Sequence, residues 1–393
     1  MNNNTIISQS SNLFGRLTII SLCISFYLGF LVEGLYNYTG LRTIFLFIGL
    51  VFFFIKMVLR PKLQIDSHFF TYTLIMFPLA VLSLGFWHNL NGINVYFTIV
   101  TFIIIVSSGY DFFLKVIKYI AYILLILAMY EFITKSYLFV VYRQTEWGVL
   151  PLDPKFYGGY SQIFRAKGLF EGPLALSQFA IGLAFLFRSN IKILVVAVLL
   201  TILANGRLGM VITGIIFILY FVTKYDLISI LKSKKFIRLF IVSLVLIISA
   251  TVYLIDEKSI ERISNSFSFE DNSNTARLYY WEKAINIFGD YNIFNILFGN
   301  SGYFREVTGN SAENGWLMLL LDNGILGFLF YFFPLLIVSL LSLKHSTEHW
   351  HYVGVLFLAM MVQTFNLGVS ASLLYWLIMY SLFIEIKKTK DYV

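Results

Sequence analysis

WLMLLLDNGILGFLFYFFPLLIVSLL, residues 316–341, contains one charged residue, Asp322. A bilayer core is about 30 Å thick, and about 20 mainly apolar helical residues cross it. A run this long and this apolar predicts a membrane span. Asp322 and Gly324 sit near its start, so its first turns read as a separate helical piece. The rest of the chain repeats the pattern. Of 393 residues, 59% are hydrophobic and 13% are charged, and Phe alone contributes 41. Mean hydropathy is +0.79. A soluble domain carries about 25% charge. This chain cannot cover a water-facing surface, which excludes an ordinary soluble enzyme, a disordered protein and a single-span receptor.

Apolar runs at 17–35, 42–59, 69–87, 93–109, 113–134, 173–188, 191–205, 208–223, 237–255, 316–341, 351–367 and 369–385 predict about twelve transmembrane helices. The expected fold is all-α and polytopic, a single integral membrane domain over 1–393. The N-terminus, MNNNTIISQSSNLFGR, lacks a basic segment and a small-residue cleavage site, so the first run reads as a retained helix. The single cysteine, Cys23, lies inside that run and has no partner for an intrachain disulfide.

Charge sets the direction. With the N-terminus inside, the inner segments hold Arg16, Lys56, Arg60, Lys62, Lys115, Lys118, Arg188, Lys192, Lys224, Lys232, Lys234, Lys235, Arg238, Lys344, Lys387, Lys388 and Lys390. These are 17 of the 29 basic residues. Short outer loops hold almost none, as the positive-inside rule requires. Both termini are then expected on the cytoplasmic side. The net charge of +8 is spread over short segments and forms no nucleic-acid patch. Two long loops, 135–172 and 256–315, face outward. Within the second, ARLYYWEKAINIF (276–288) has helical spacing, with Leu278, Trp281, Ala284, Ile285 and Phe288 on one expected apolar face.

The outer cations carry more information than the inner ones. Arg207 sits between two apolar runs with almost no loop to hold it, and desolvating it calls for an anion. Arg277 opens the amphipathic segment, Arg143, Arg165 and Lys167 lie in the 135–172 loop, and Arg305 precedes the 316–341 span. Guanidinium groups bind phosphate through paired, charge-assisted hydrogen bonds. Each is also read as a snorkelling interfacial arginine. Glu313, Glu171 and Asp322 are the acids placed near the outer surface. A carboxylate in a partly dry cavity serves as a general base, and it equally serves as a helix cap. Aromatics such as Tyr157, Tyr160, Tyr279, Tyr280 and Trp281 offer sugar-stacking faces, or interfacial anchors. No P-loop, GxSxG or HExxH motif occurs, and the five histidines form no ligand set, so no metal or cofactor is expected.

Four stretches together resemble the O-antigen polymerase and O-antigen ligase superfamily of bacterial inner-membrane glycosyltransferases. They are GLFEGPLALSQF (168–179), ILANGRLGMV (202–211), NTARLYYWEKAINIF (274–288) with ILFGNSGY (296–303), and ENGWLMLLLDNGILGFL (313–329). The resemblance covers roughly 168–330. It implies a GT-C-like, metal-independent, inverting enzyme whose active face is periplasmic. The donor and acceptor would be glycans on undecaprenyl diphosphate. It implies that Arg207 and Arg277 bind the donor diphosphate. Arg165, Arg143, Lys167, Arg305, Tyr280, Trp281 and Asn314 join them around the substrate. In ligases a histidine occupies the stretch held here by Ser311, Ala312, Glu313 and Asn314, so Glu313 takes the place of the base and the polymerase is favoured. Membrane lipids and a chain-length regulator are the expected partners. A ligase acting on lipid A–core and a transporter of lipid-linked oligosaccharide are the alternatives. A transporter would show two related halves, and no counterpart of the interrupted 191–223 region occurs in the first half.

Overall fold

A computed structural model describes residues 3–29, 31–32, 40–63, 65–87, 92–140, 142–145, 148–151, 164–224, 272–345, 348–362 and 369–390. The elements run in the order α1 (Asn3–Tyr27), α2 (Leu41–Leu59), α3 (Ser67–Leu82) with a 3-10 turn Ser83–Phe86, and α4 (Ile93–Thr134). A hairpin follows, β1 (Tyr142–Thr145) and β2 (Gly148–Pro151), antiparallel with Arg143 opposite Leu150. Then come α5 (Pro173–Leu186), α6 (Ile191–Leu203), α7 (Arg207–Lys224), α8 (Asn272–Gly289), α9 (Ile293–Phe298) and α10 (Tyr303–Thr308). The chain ends with α11 (Gly315–Lys344), α12 (His349–Val362) and α13 (Val369–Lys390).

The protein is a multi-pass membrane protein, and helices dominate it as expected. The number of spans is corrected. Among the described residues, five helices are long and apolar enough to cross a membrane: Leu41–Leu59, Ser67–Phe86, Val95–Thr134, Arg207–Lys224 and Gly315–Lys344. The expectation of about twelve fails for identifiable reasons. The runs 93–109 and 113–134 are two helices joined end to end at Gly109, which leaves helical geometry at φ 140° and ψ 85°, so the break expected there is present and the pair counts once among the five. The run 351–367 begins in α12 and passes outside the described residues after Val362, while the runs 173–188 and 191–205 become helices of 14 and 13 residues. At 1.5 Å per residue each is about 20 Å long, short of the bilayer core. The runs 17–35 and 369–385 fall in α1 and α13, which are not among the five. The run 237–255 lies outside the described residues. Summed hydropathy sees apolar content, while length is set by caps. Asn190, for example, accepts from the backbone N–H of Lys192 and Ile193 and so starts α6 afresh.

The chain divides into two compact units, one made of residues 1–123 and 277–393, the other of 124–276. In the first, an aromatic core of Phe69, Phe102, Phe330, Tyr331, Tyr375, Trp376 and Tyr380 joins α3, α4, α11 and α13. Several polar groups inside it are matched, although the buried Trp376 indole N–H is not. The Tyr331 hydroxyl donates to the Val95 carbonyl at 3.0 Å, Thr98 pairs with Ser372 at 2.8 Å, and Tyr375 donates to the Tyr331 carbonyl. Such bonds tie helices together where apolar burial gives no preference over lipid.

The two ends of this unit differ. At one end Lys387 bonds Asp66, the N-cap of α3, at 2.6 Å, and the Lys56 ammonium donates to the Ser107 carbonyl at 2.6 Å. Arg16 lies over the Phe112 ring at the same end. Lys56, one of the inner basic residues, is buried, because α2 continues through it and the α4 bend offers a carbonyl. At the other end the loop 290–302 docks on the start of α11. Asn300 N–H donates to the Leu321 carbonyl at 2.8 Å, and Gly92 N–H donates to Ser301 Oγ at 2.7 Å. A Cβ on Gly299 would lie 2.4 Å from Asn323 N, and one on Gly324 would lie 2.4 Å from the Leu297 carbonyl. Gly324 also has φ 66° and ψ −169°, a region closed to other residues. The two glycines let two backbones touch and break α11 after its first turns, as the sequence suggests.

Candidate functional site

In the first unit, the Arg277 Nε–H donates to Glu313 Oε2 at 2.8 Å across 36 residues of sequence. Arg277 lies in the early turns of α8, and Glu313 lies just before α11. Their side chains are 29% and 42% exposed, so both face a wet surface. Glu313 has φ 50°, one of three non-glycine residues in the left-handed region among the described residues. That conformation is unfavourable for a glutamate and is held only by its surroundings. Immediately after it, the Asn314 side chain accepts from the backbone N–H of Trp316 and Leu317 at 3.0 and 3.1 Å and starts α11. Asn314 is buried, and its oxygen is engaged as a cap. The cap and the left-handed turn together point Glu313 back toward α8.

The platform beneath this pair is a small core of Ala284, Tyr291, Phe304, Ala312, Met318 and Leu321, with Tyr280, Ile287 and Phe288 packed against it. The buried stripe of α8 is therefore Tyr280, Ala284, Ile287 and Phe288. The expected face is corrected: Leu278 and Ile285 are exposed. The segment carries two apolar stripes at helical spacing, and only the partner surface selects between them. Tyr280 is half-buried in this packing and makes an edge contact with Tyr279. Trp281 is half-buried with its indole N–H enclosed. Arg305 is exposed on α10. Asp322 is buried and its carboxylate accepts from Gly302 N–H at 3.1 Å, which gives it a structural partner in the docked loop.

In the second unit, the segment 165–168 is bound on several sides. Arg165 Nε–H donates to the Ala204 carbonyl at the end of α6 at 3.0 Å, Ala166 N–H donates to the Leu203 carbonyl at 3.0 Å, and Tyr137 donates to the Arg165 carbonyl at 3.1 Å. The fully buried Glu131 carboxylate accepts from the backbone N–H of Lys167 at 2.9 Å, Gly168 at 2.8 Å and Leu138 at 3.2 Å. The Lys167 ammonium lies 5.2 Å from the Tyr137 ring centre. Burial pushes the Lys167 pKa down to about 8, against the opposing pull of Glu131 and Glu171. Arg207 is the half-buried first residue of α7, three positions after Ala204. Here Gly206 and Gly209 press on Ser177 of α5, and a Cβ on either would fall within 2.3 Å of its hydroxyl. Arg143 lies in β1, and its side chain is outside the described residues, as are Tyr157 and Tyr160.

Glu131 is the residue whose part sequence reading missed. The available signal was an acid inside an apolar helical run, which demands a partner. Its partners are backbone amides, and these leave no pattern in a sequence. Among the described residues no three His, Cys, Asp or Glu side chains come together as a metal site. No protein-family model matches the chain, and no curated protein is significantly similar to it.

Proposed function

We propose that the protein is a membrane glycosyltransferase that polymerises a surface polysaccharide, transferring a growing glycan from undecaprenyl diphosphate to the non-reducing end of a lipid-linked repeat unit. The observation that carries this reading is the bonded pair Arg277–Glu313, an acid and a guanidinium brought together on an exposed rim. The four motifs resembling the polymerase and ligase superfamily supply the substrate class.

In this reading the acceptor hydroxyl attacks the anomeric carbon from the face opposite the diphosphate. Its proton passes to the Glu313 carboxylate, a new C–O bond forms, and the bond to the diphosphate breaks with inversion. The departing undecaprenyl diphosphate takes the electron pair, and Arg277 stabilises its charge. A guanidinium has five N–H donors, enough to serve a carboxylate and a phosphate in turn. Arg207 is assigned to diphosphate by the resemblance and is assayed separately.

The membrane is proposed to be the bacterial inner membrane, with both termini cytoplasmic and the Arg277–Glu313 rim periplasmic. Arg16, Lys56 and Lys387 gather at one end of the first unit, beside Arg60 and Lys62 in sequence, and the positive-inside rule makes that end cytoplasmic. The test incubates purified full-length protein with its lipid-linked repeat unit alone. A ladder of chains with release of undecaprenyl diphosphate is expected. Product that forms only with added lipid A–core overturns polymerase in favour of ligase. Unchanged ladders from both Glu313→Gln and Arg277→Ala overturn the site.

A further inference from the structure

Helix α9 buries none of its residues. Ile293 is 62% exposed and Phe294 55%, with Leu297 also exposed. This is costly for a segment facing water, and one side of α9 is already committed. The Phe294 and Phe298 rings stack on Phe86 with centroids 5.5 and 4.7 Å away, and the Phe298 carbonyl accepts from the Trp87 indole N–H at 2.9 Å. Phe86 is the last residue of the span Ser67–Phe86, whose Leu74, Ile75, Leu79 and Leu82 are exposed as lipid-facing side chains are. Phe86 is itself partly exposed, so the stacked rings make the α9 surface a continuation of the lipid-facing surface of α3. Trp87 marks the level, since an indole at a span end sits at the headgroup boundary.

We infer that α9 is seated in the bilayer interface, with Ile293, Phe294 and Leu297 in contact with lipid. The occupant of this face is the lipid of the surrounding leaflet, because the surface is continuous with a membrane-spanning helix at the depth where that helix ends. The consequence reaches the rim. α8 and α10 share the core of Ala284, Tyr291 and Phe304, and the loop after α9 docks on α11. Anchoring α9 therefore holds Arg277 and Glu313 near headgroup depth, where the phosphates of any lipid-linked anion lie.

The experiment uses full-length protein with Cys23→Ala and one added cysteine, labelled with an environment-sensitive NBD group. The protein is placed in vesicles of phosphatidylethanolamine and phosphatidylglycerol. Ile293→Cys is compared with Glu282→Cys on the exposed side of α8. Nitroxide lipid labelled near the headgroup is expected to quench the Ile293→Cys label severalfold more than the Glu282→Cys label, and aqueous cobalt the reverse. Leu297→Cys reports the same face should Ile293→Cys fail to fold. Equal aqueous quenching at both sites overturns the inference. So does a blue-shifted label that no lipid nitroxide reaches, since a protein would then cover the face. Neither outcome depends on glycosyl transfer.

Discussion

Two groups in this protein each bring a glutamate together with a basic residue, and they behave as opposites. Glu131 and Lys167 are buried, and the carboxylate is held by three backbone amides. Glu313 and Arg277 are partly exposed and joined by an Nε–H···Oε2 bond of 2.8 Å. A buried carboxylate that accepts from three backbone amides organises the chain around it and is closed to a substrate. An exposed pair contributes little to stability, typically under about 1 kcal/mol, and so is open to exchange of partners. Charge alone would not have separated the two. Burial does.

The sharpest way to break this contrast is Glu131→Ala. It leaves three backbone amides without their acceptor and removes the negative charge that faces the buried Lys167 ammonium, so a loss of about 3–5 kcal/mol is expected. Thermal unfolding in detergent should show it as a collapse in Tm or yield, and a Tm equal to that of Glu313→Ala would end the distinction. Glu313→Gln is the converse. Polymerisation should fall about 10²–10³-fold, while its Tm stays near that of the parent. A matching drop in Tm would mean that Glu313 is a structural residue.

Two glycines ask whether the exposed pair depends on the frame below it. Gly299→Ala places a methyl against the Asn323 backbone at φ 81°, whereas Gly309, at φ 70°, has open space around it. The first should cost about 2 kcal/mol or more and the second about 1 kcal/mol, read by chemical denaturation. The gap between them measures the docking of the loop on α11.

The smallest effect concerns pH. The Lys167 pKa is about 8 in the folded protein, below the value of about 10.4 for an unfolded lysine. Between these values the unfolded chain holds a proton that the folded chain has released. Stability should therefore rise with pH through that window, on the order of 1 kcal/mol by about pH 9.5. Lys167→Met should remove this rise. A parent curve that stays flat would show that the ammonium is solvated.

The amino-acid sequence by itself determined that this protein lives in a membrane and which of its segments are basic. Both follow from the desolvation cost of single residues, and that cost is local. It also singled out Arg277, at the start of the amphipathic loop segment, and Glu313, just before a span. It overcounted the spans, because an apolar run does not reveal whether a residue such as Asn190 starts a helix too short to cross the bilayer. It did not distinguish the two apolar stripes of α8. Only tertiary structure decided that Glu313 meets Arg277 across 36 residues and that Glu131 is consumed by amides. A pairing needs two surfaces to be brought together, and no single stretch of sequence contains both.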